Sequence, residues 1–253
     1  MIKSLVTFAK STNIKLIAEG IECEEELAMA REDSKTYDCV VVEKDSEYYG
    51  LVTIKRLLEF STILERSYAI SLNPLTKLPG NNVIEEVLDD LTTSDLPHCI
   101  LYFDLDNFKA YNDTYGFEKG DNVLKFTAEL LQTYLKRYFS YNSFLGHIGG
   151  DDFICTINGP LNECMEFCDE LLSEFDKHIP FFYSSEDRAN GFIKSKDRNG
   201  NPSVFSITSI SIAGLYGNLN TFSGGENIAE LTSLIKKESK SINGSSKFIK
   251  ELN

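Results

Sequence analysis

The spacing of apolar and polar positions divides the chain near residue 73. Upstream, apolar positions support only short elements: strands are predicted at residues 15–18 and 37–43, and a third strand begins at Leu51 after a polar turn through Gly50. Helical spacing predicts a short helix at residues 2–9, an acidic helix at 22–30 and an amphipathic helix at 57–71. That last helix ends before Asn73-Pro74, because proline disfavours helix at the residue preceding it.

Downstream of residue 74 the pattern alternates between helical and strand periods. Helices are predicted at 82–91, from 107, at 121–138, at 162–178 and from 226; strands are predicted at 99–104, 144–148, 153–157 and 205–213. Gly149-Gly150 between two apolar strands predicts a hairpin, since glycine accepts the positive φ of a tight turn. The order predicts an α/β domain with an antiparallel strand pair and helices on the sheet faces. The polar stretch 183–201 is predicted to be a solvated loop, with an added substrate or partner contact as the alternative.

Composition and charge narrow the class of protein. The 253 residues are 42% hydrophobic and 25% charged, which is typical of a folded soluble protein. A net charge of −14 argues against a broad nucleic-acid-binding surface, so a phosphate ligand would need metal ions or a local lysine cluster. No apolar run approaches the roughly 18 residues of a membrane span, and the N-terminus does not resemble a signal peptide. We therefore expect a cytoplasmic protein without a membrane segment.

The cysteines and histidines show no metal-site spacing. The six cysteines contain no C-x-x-C pair, and the three histidines are scattered. We expect the cysteines to be small apolar core residues in a reducing compartment, not a zinc site or a disulfide framework.

Two acidic clusters follow predicted strands. The apolar strand 100–103 ends in Asp104-Leu105-Asp106, and the glycine pair is followed by Asp151 and Asp152. Carboxylates at strand ends suit Mg²⁺, which takes one or two carboxylates together with substrate phosphates. The alternatives are that Asp151-Asp152 is only an acidic surface turn, and that Asp106 only caps the helix beginning at Asn107.

Three motifs occur together in one order: Leu75-Thr-Lys-Leu-Pro-Gly80, the run from Phe103 to Asp121, and Gly149-Gly-Asp-Asp-Phe153. In this they resemble the GGDEF family of diguanylate cyclases. The resemblance implies an α/β (α+β) fold, a five-stranded mixed sheet wrapped by helices, nucleotidyl cyclase-like and related to polymerase palm domains, with a small N-terminal appendage here. It also implies condensation of two GTP into cyclic di-GMP and pyrophosphate in bacterial signalling, by a homodimer in which each subunit carries one half-site.

The resemblance assigns roles to individual residues. Asp104, Asp151 and the carbonyl of Leu105 would hold Mg²⁺ (or Mn²⁺), and Asp152 is a candidate catalytic carboxylate by its location. The substrate-binding positions are the backbone amides of Phe108 and Lys109 for phosphate, Asn112 and Asp121 for guanine, and Lys240 for phosphate.

The sequence departs from the family pattern at several positions. Asp152 replaces the usual Glu, His147 stands where an Arg commonly precedes the hairpin, and Ser245 lies where a late phosphate-binding Arg is usual. The product-binding R-x-x-D positions align with Ser140 and Ser143, so feedback inhibition there is not expected. These departures keep two alternatives open: a weak or inactive GTP-binding regulatory module, and a purely structural dimerisation domain.

The N-terminal segments carry two partial resemblances. Residues 1–30, with Ile17-Ala-Glu-Gly-Ile-Glu22, are similar to the end of an EAL phosphodiesterase domain, and residues 31–60 to the end of a CBS motif. Residues 61–73 would form a connecting helix and residues 74–253 the GGDEF domain. Either internal segments are missing between these pieces or the gene has eroded; we favour missing segments.

Overall fold

A computed structural model of the chain describes residues 14–18, 39–44, 47–53, 71–140, 142–197, 200–220, 222 and 244–252. The chain separates into two units, Met1–Ile70 and Ser71–Asn253. The predicted helices at 2–9 and 22–30, almost all of the one at 57–71 and the one from 226 lie outside the described residues.

The first unit contains an antiparallel sheet in the order β1-β2-β3. Its strands are β1 (Ile14–Ala18), β2 (Cys39–Lys44) and β3 (Glu47–Thr53). Valine and tyrosine, which favour extended backbone, are frequent in β2 and β3. β3 begins at Glu47, four residues before the predicted start at Leu51, because residues 47–50 already pair with β2.

The second unit is built on a five-stranded sheet in the order β10-β9-β4-β6-β5. β9 and β10 are parallel, and the other pairs are antiparallel. The sheet strands are β4 (Pro97–Leu105), β5 (Ser143–Gly149), β6 (Asp152–Ile157), β9 (Ile210–Asn218) and β10 (Ser246–Glu251); β7 (Phe192–Lys196) and β8 (Pro202–Ser206) form a separate hairpin. The helices are α1 (Asn81–Thr92), α2 (Phe108–Tyr115), α3 (Phe117–Phe139), α4 (Leu161–His178) and α5 (Ser185–Asn190), with a 3₁₀ turn at Ile179–Phe182. The mixed sheet and its helices agree with the predicted fold class.

Both faces of the central strand β4 are covered. Successive strand residues point to opposite faces, so Leu101 and Phe103 pack into the core that contains α3 and α4 residues, while Ile100 and Tyr102 pack with Ile84 of α1 and its neighbours. Full burial of such side chains stabilises the fold by about 1.5–3 kcal/mol each. Asp104 continues the row of Ile100 and Tyr102, so the buried strand carries a carboxylate to its end.

The described core cysteines behave as apolar residues. Cys99, Cys155, Cys164 and Cys168 are buried free thiols, as predicted. Burial raises the pKa of Cys155 and Cys168, so both thiols stay neutral.

The structure corrects the predicted elements at three places: the strand predicted at 205–213, the C-terminal strand β10 and the start of α3. The predicted strand 205–213 is two strands, because the backbone between them bonds outside the ladder: the Thr208 N–H donates to the Tyr183 hydroxyl at 2.8 Å, and the Ser209 carbonyl accepts from the Asp106 N–H at 2.8 Å. β10 was not predicted, since its side chains do not alternate strictly between apolar and polar. α3 begins at Phe117, four residues earlier than predicted.

The prediction of a solvated loop at 183–201 is wrong. This segment contains α5 and β7. Tyr183 is 4% exposed and Ile193 is 1% exposed, and both belong to the main core. Burial of these apolar side chains is what folds the segment onto the domain.

Candidate functional site

The end of β4 places a buried carboxylate between two neighbouring strands. Asp104 is 8% exposed. Its Cα lies directly opposite that of Asp152 on β6 and that of Ser211 on β9. Side chains at directly opposed positions of an antiparallel pair share one face, so the structure brings Asp104 and Asp152 together.

The glycine pair forms the predicted tight connection between β5 and β6. Gly150 has a φ of 59°, in the left-handed region that glycine adopts without strain. Asp151 lies in this turn and is half-buried, and β6 begins at Asp152. The turn therefore carries Asp151 one residue beyond the pair formed by Asp104 and Asp152.

His147 fixes this turn, a role that sequence reasoning missed. Its ring is 2% exposed and stacks on Phe153 with a centroid separation of 4.2 Å. Nε2 lies 3.1 Å from the Gly150 carbonyl oxygen, and Nδ1 lies 2.9 Å from the Thr76 hydroxyl. Because a carbonyl only accepts, Nε2 carries the proton and Nδ1 accepts from Thr76. The sequence did contain a signal for this role, since His147 precedes the hairpin at a position where an arginine was expected.

The electrostatics of His147 agree with a neutral ring. Burial lowers its pKa below the ordinary 6.5, although the Gly150 carbonyl and the Asp152 carboxylate favour the protonated form. Thr76 is itself held, since its N–H donates to Asn73 Oδ1 at 3.1 Å. The His147 ring thus connects the Leu75–Gly80 motif to the glycine turn by hydrogen bonds on both sides.

Asp106 links two strands and does not cap α2. Its Oδ2 accepts from the hydroxyls of Ser209 at 2.9 Å and Ser211 at 2.7 Å. The alternative that Asp106 caps α2 is wrong, because the N-cap residue is Asn107 and the Asp106 carboxylate bonds to Ser209 and Ser211.

The start of α2 offers backbone donors. Its N-cap residue Asn107 has a φ of 61° and makes no side-chain capping bond. The Asn107 amide donates instead to Ser206 Oγ at 3.0 Å. The first N–H groups of a helix have no partner within the helix, so the amides of Phe108 and Lys109 form the kind of donor pair that binds phosphate.

Asn112 lies at the contact between α2 and α3. Its Oδ1 is buried and accepts no hydrogen bond from the described part of the chain. Gly120 makes room for it, since a Cβ on that residue would lie 1.8 Å from Asn112 Oδ1. The exposed Asp121 follows Gly120 directly, so the two predicted guanine-binding residues occupy adjoining positions. A buried acceptor without a partner is costly unless a ligand satisfies it.

The late phosphate-binding positions are only partly described. Lys240 lies outside the described residues. The Ser245 hydroxyl contacts the Asp176 carboxylate and accepts from the Ile210 N–H at 3.0 Å. At the position where the resemblance led us to expect an arginine, a small hydroxyl therefore joins β9 to α4.

Within the described ranges, no three His, Cys, Asp or Glu side chains form a group that could hold a metal ion by themselves. Carboxylates at the end of β4 and in the turn are hard oxygen donors of the kind Mg²⁺ selects, and Mg²⁺ usually shares such ligands with substrate phosphates. The donor set therefore fits a metal that binds together with a nucleotide.

None of the described helices is long and apolar enough to span a bilayer.

The site combines a carboxylate pair on two neighbouring strands of a mixed sheet with the uncapped start of α2. This arrangement defines an α/β domain suited to binding a nucleotide and a divalent metal. The family model described as "Diguanylate cyclase, GGDEF domain" matches residues 71–187. Over these residues the chain is similar to the GGDEF domain family.

Curated relatives match part of the chain. A diguanylate cyclase of Vibrio cholerae serotype O1 is 35% identical over 91 residues, which are 36% of this chain and 27% of the relative. The diguanylate cyclase DgcZ of Escherichia coli K12 is 29% identical over 121 residues, which are 47% of this chain and 40% of the relative. The matches thus span well under half of the length of these relatives.

Solved structures share the fold. The coiled coil and GGDEF domain of DgcB from Caulobacter crescentus, in complex with c-di-GMP, aligns with a TM-score of 0.57 at 18% identity, covering 78% of this chain and 93% of that one. The diguanylate cyclase SiaD of Pseudomonas aeruginosa, in complex with its activator SiaC, aligns with a TM-score of 0.54 at 18% identity, covering 78% and 68%.

Proposed function

We propose that the protein is a metal-dependent diguanylate cyclase that condenses two GTP molecules into cyclic di-GMP and releases pyrophosphate. The observation that carries the proposal is the register of β4 and β6, which sets the buried Asp104 opposite Asp152 beside the glycine turn. Relatives named as diguanylate cyclases match part of the chain.

Mg²⁺, with Mn²⁺ as the alternative, is the proposed metal. Asp104, Asp151 and the Leu105 carbonyl would hold it. Asp104 is almost fully buried, and a cation offsets the cost of burying a carboxylate. A bound divalent ion would neutralise charge on the phosphates and lower the pKa of the attacking 3′-hydroxyl.

The remaining residues would hold the substrate. The amides of Phe108 and Lys109 donate to phosphate oxygens at the positive end of α2. Asn112 and Asp121 bind guanine, since a carboxylate and an amide accept from and donate to the base edge in a pattern that adenine does not match. Lys240 supplies a cation to a phosphate.

Each GTP would be bound by one subunit of a homodimer, with the two half-sites facing each other. Asp152 is the candidate catalytic carboxylate, shorter than glutamate by one methylene. Ser140 and Ser143 provide no charged product-binding pair, so no feedback inhibition is expected there. We place the protein in the cytoplasm.

A non-catalytic GTP-binding module is the second candidate function. It is favoured by Ser245, whose hydroxyl is engaged by Asp176 and the Ile210 N–H. Loss of a charged phosphate contact weakens nucleotide binding in the transition state as well as in the ground state. A purely structural dimerisation domain is the remaining alternative.

The N-terminal unit is proposed to derive from two signalling modules. Residues 1–30 would be the end of an EAL domain and residues 31–60 the end of a CBS motif, followed by the connecting helix 61–73 and the GGDEF domain 74–253. Neither fragment would retain the activity or nucleotide binding of a complete module.

The test is an assay of the purified chain with GTP and Mg²⁺, comparing Asp104→Asn with the unchanged protein. We expect cyclic di-GMP formation to fall at least about a hundredfold, because removing the charge removes a metal ligand. Asp113→Asn is the matched control: it neutralises an exposed carboxylate on α2 and should retain full activity.

The outcomes separate the candidates. GTP binding in calorimetry without product, at concentrations where the chain is dimeric, would contradict the cyclase and support the regulatory module. Absence of any GTP affinity would leave only the structural domain.

A further inference from the structure

Residues 183–197 and 200–206, named here the clamp segment, lie directly against the helix that carries the proposed substrate contacts. The clamp segment contains α5 and the β7–β8 hairpin. It contacts α2 near both ends of that helix, and neither the family resemblance nor the proposed reaction assigns it a role.

The C-terminal end of α2 is held by hydrogen bonds. The Tyr115 hydroxyl donates to Asp187 Oδ2 and accepts from the Ser184 N–H at 3.1 Å. Ser184 also orients that carboxylate, because its hydroxyl donates to Asp187 Oδ2 at 3.0 Å. Tyr115 is therefore fixed by a carboxylate that is itself fixed by the cap of α5.

Aromatic packing extends this contact along α2. Tyr183 lies edge-on to Tyr111 at 4.9 Å and to Tyr115 at 5.5 Å, and the two α2 tyrosines stack at 4.8 Å. Tyr111 is 1% exposed and Tyr183 is 4% exposed. Such a cluster is rigid, since each ring has few rotatable bonds and is enclosed by the others.

The N-terminal end of α2 is held separately. Asn107 donates through Nδ2 to Ser206 Oγ at 3.0 Å. A side chain that bonds to β8 does not cap its own helix, so the amides of Phe108 and Lys109 remain available to a phosphate.

These contacts lie next to the substrate positions on α2. Tyr115 follows Asn112 by three residues, so the two side chains lie about one helical turn apart. A small displacement of α2 would move Asn112 and the first-turn amides together, so that both would be misplaced relative to one bound GTP.

We propose that the clamp segment sets the position of α2 for GTP, with Asp187 and Tyr115 as positioning residues that act through the helix and do not touch the substrate. This proposal rests on the proposed GTP site.

The test measures GTP affinity by calorimetry and the KM and kcat of the full chain. Asp187→Ala is expected to weaken GTP binding and raise KM about tenfold, as expected for loss of a charge-assisted hydrogen bond. The kcat should change by less than about threefold, because Asp187 acts on binding geometry and not on the reacting atoms. Asp187→Asn should restore most of the affinity, because its amide oxygen still accepts from Tyr115.

Glu186→Ala is the matched control. It removes the same charge from the neighbouring, exposed position of α5 and should leave GTP affinity unchanged. Tyr115→Phe provides a second variant that keeps the ring; it should reproduce the loss and increase hydrogen exchange of the α2 amides.

Affinity in Asp187→Ala or Tyr115→Phe equal to that of the unchanged protein would overturn the clamp proposal alone. Equal losses in Glu186→Ala would also overturn it, since the effect would then be one of net charge. Failure of the unchanged chain to bind GTP would instead overturn the proposed function, and this proposal with it.

Discussion

His147 is a buried imidazole that joins two loops at the proposed metal site. One ring nitrogen donates to the Gly150 carbonyl and the other accepts from Thr76. An arginine at this position would carry a permanent charge, whereas the histidine fits a buried site only when neutral. The hairpin geometry of this chain is therefore tied to the ionisation of one side chain.

His147→Gln is expected to destabilise the protein by about 1–2 kcal/mol at pH 8, since one hydrogen bond and the stacking on Phe153 are lost. The folded-state pKa of His147 lies below 6.5. The unfolded state therefore binds more protons below about pH 6.5, and the unchanged protein loses this stability as the pH falls through the folded-state pKa. Urea unfolding from pH 8 to pH 5 measures the difference between the two proteins, which should shrink on acidification.

His98 is the internal reference for this experiment. Burial also lowers its pKa, so it contributes an acid-side loss of stability that His147→Gln retains. A difference between variant and unchanged protein that stays constant with pH would show that the titration of His147 does not contribute.

At the scale of elements, the end of β4 is anchored to β9 by side chains in addition to the strand ladder. Asp106 follows β4 and accepts from two serine hydroxyls, Ser209 just before β9 and Ser211 within it. The same junction positions Asp104, because its Cα pairs with that of Ser211. The anchor thus fixes the strand end that carries the proposed metal ligand.

Replacing both Ser209 and Ser211 by Ala is expected to lower the free energy of unfolding by about 1–2 kcal/mol. This value is toward the lower part of the range for hydrogen bonds to a charged group, because Asp106 is half-exposed. Chemical denaturation measures the loss. Ser203→Ala on β8 is the control and should cost less than about 0.5 kcal/mol. A double variant as stable as the control would mean that water replaces the hydroxyls fully.

At the scale of the whole molecule, the excess of acidic residues would make the proposed nucleotide binding dependent on cations. The net charge of −14 does not favour a polyphosphate. The amides of α2 and a few lysines offset this only locally. We therefore expect GTP affinity to depend strongly on the divalent metal.

Thermal unfolding tests this dependence directly. With GTP at about 100 times its Kd and excess Mg²⁺, the melting temperature should rise by about 5–10 °C, because ligand binding to the folded state adds roughly 2.7 kcal/mol. EDTA should abolish most of the shift. ATP with Mg²⁺ is the control and should give a much smaller shift, since Asn112 and Asp121 are proposed to bind the guanine edge. Equal shifts with and without EDTA would contradict a metal-dependent site.

The sequence by itself determined the order of most helices and strands after residue 74, the glycine turn and the placement of Asp104 at a strand end. These features depend on local spacing and on residue type. A helix such as α4 follows from apolar positions within the helix itself, and Gly149-Gly150 favours a turn whatever surrounds it.

Only the tertiary structure decided how distant segments combine. The parallel pairing of β10, the break between β8 and β9, the bonds of Asp106 to serines more than 100 residues away, and the packing of the clamp segment on α2 all depend on partners remote in sequence. The energy of such contacts is absent from any local window. For the same reason the sequence could suggest that Asp106 caps a helix and that 183–201 is a loop. In the folded chain, residues remote in sequence bind the Asp106 carboxylate and bury the apolar side chains of 183–201.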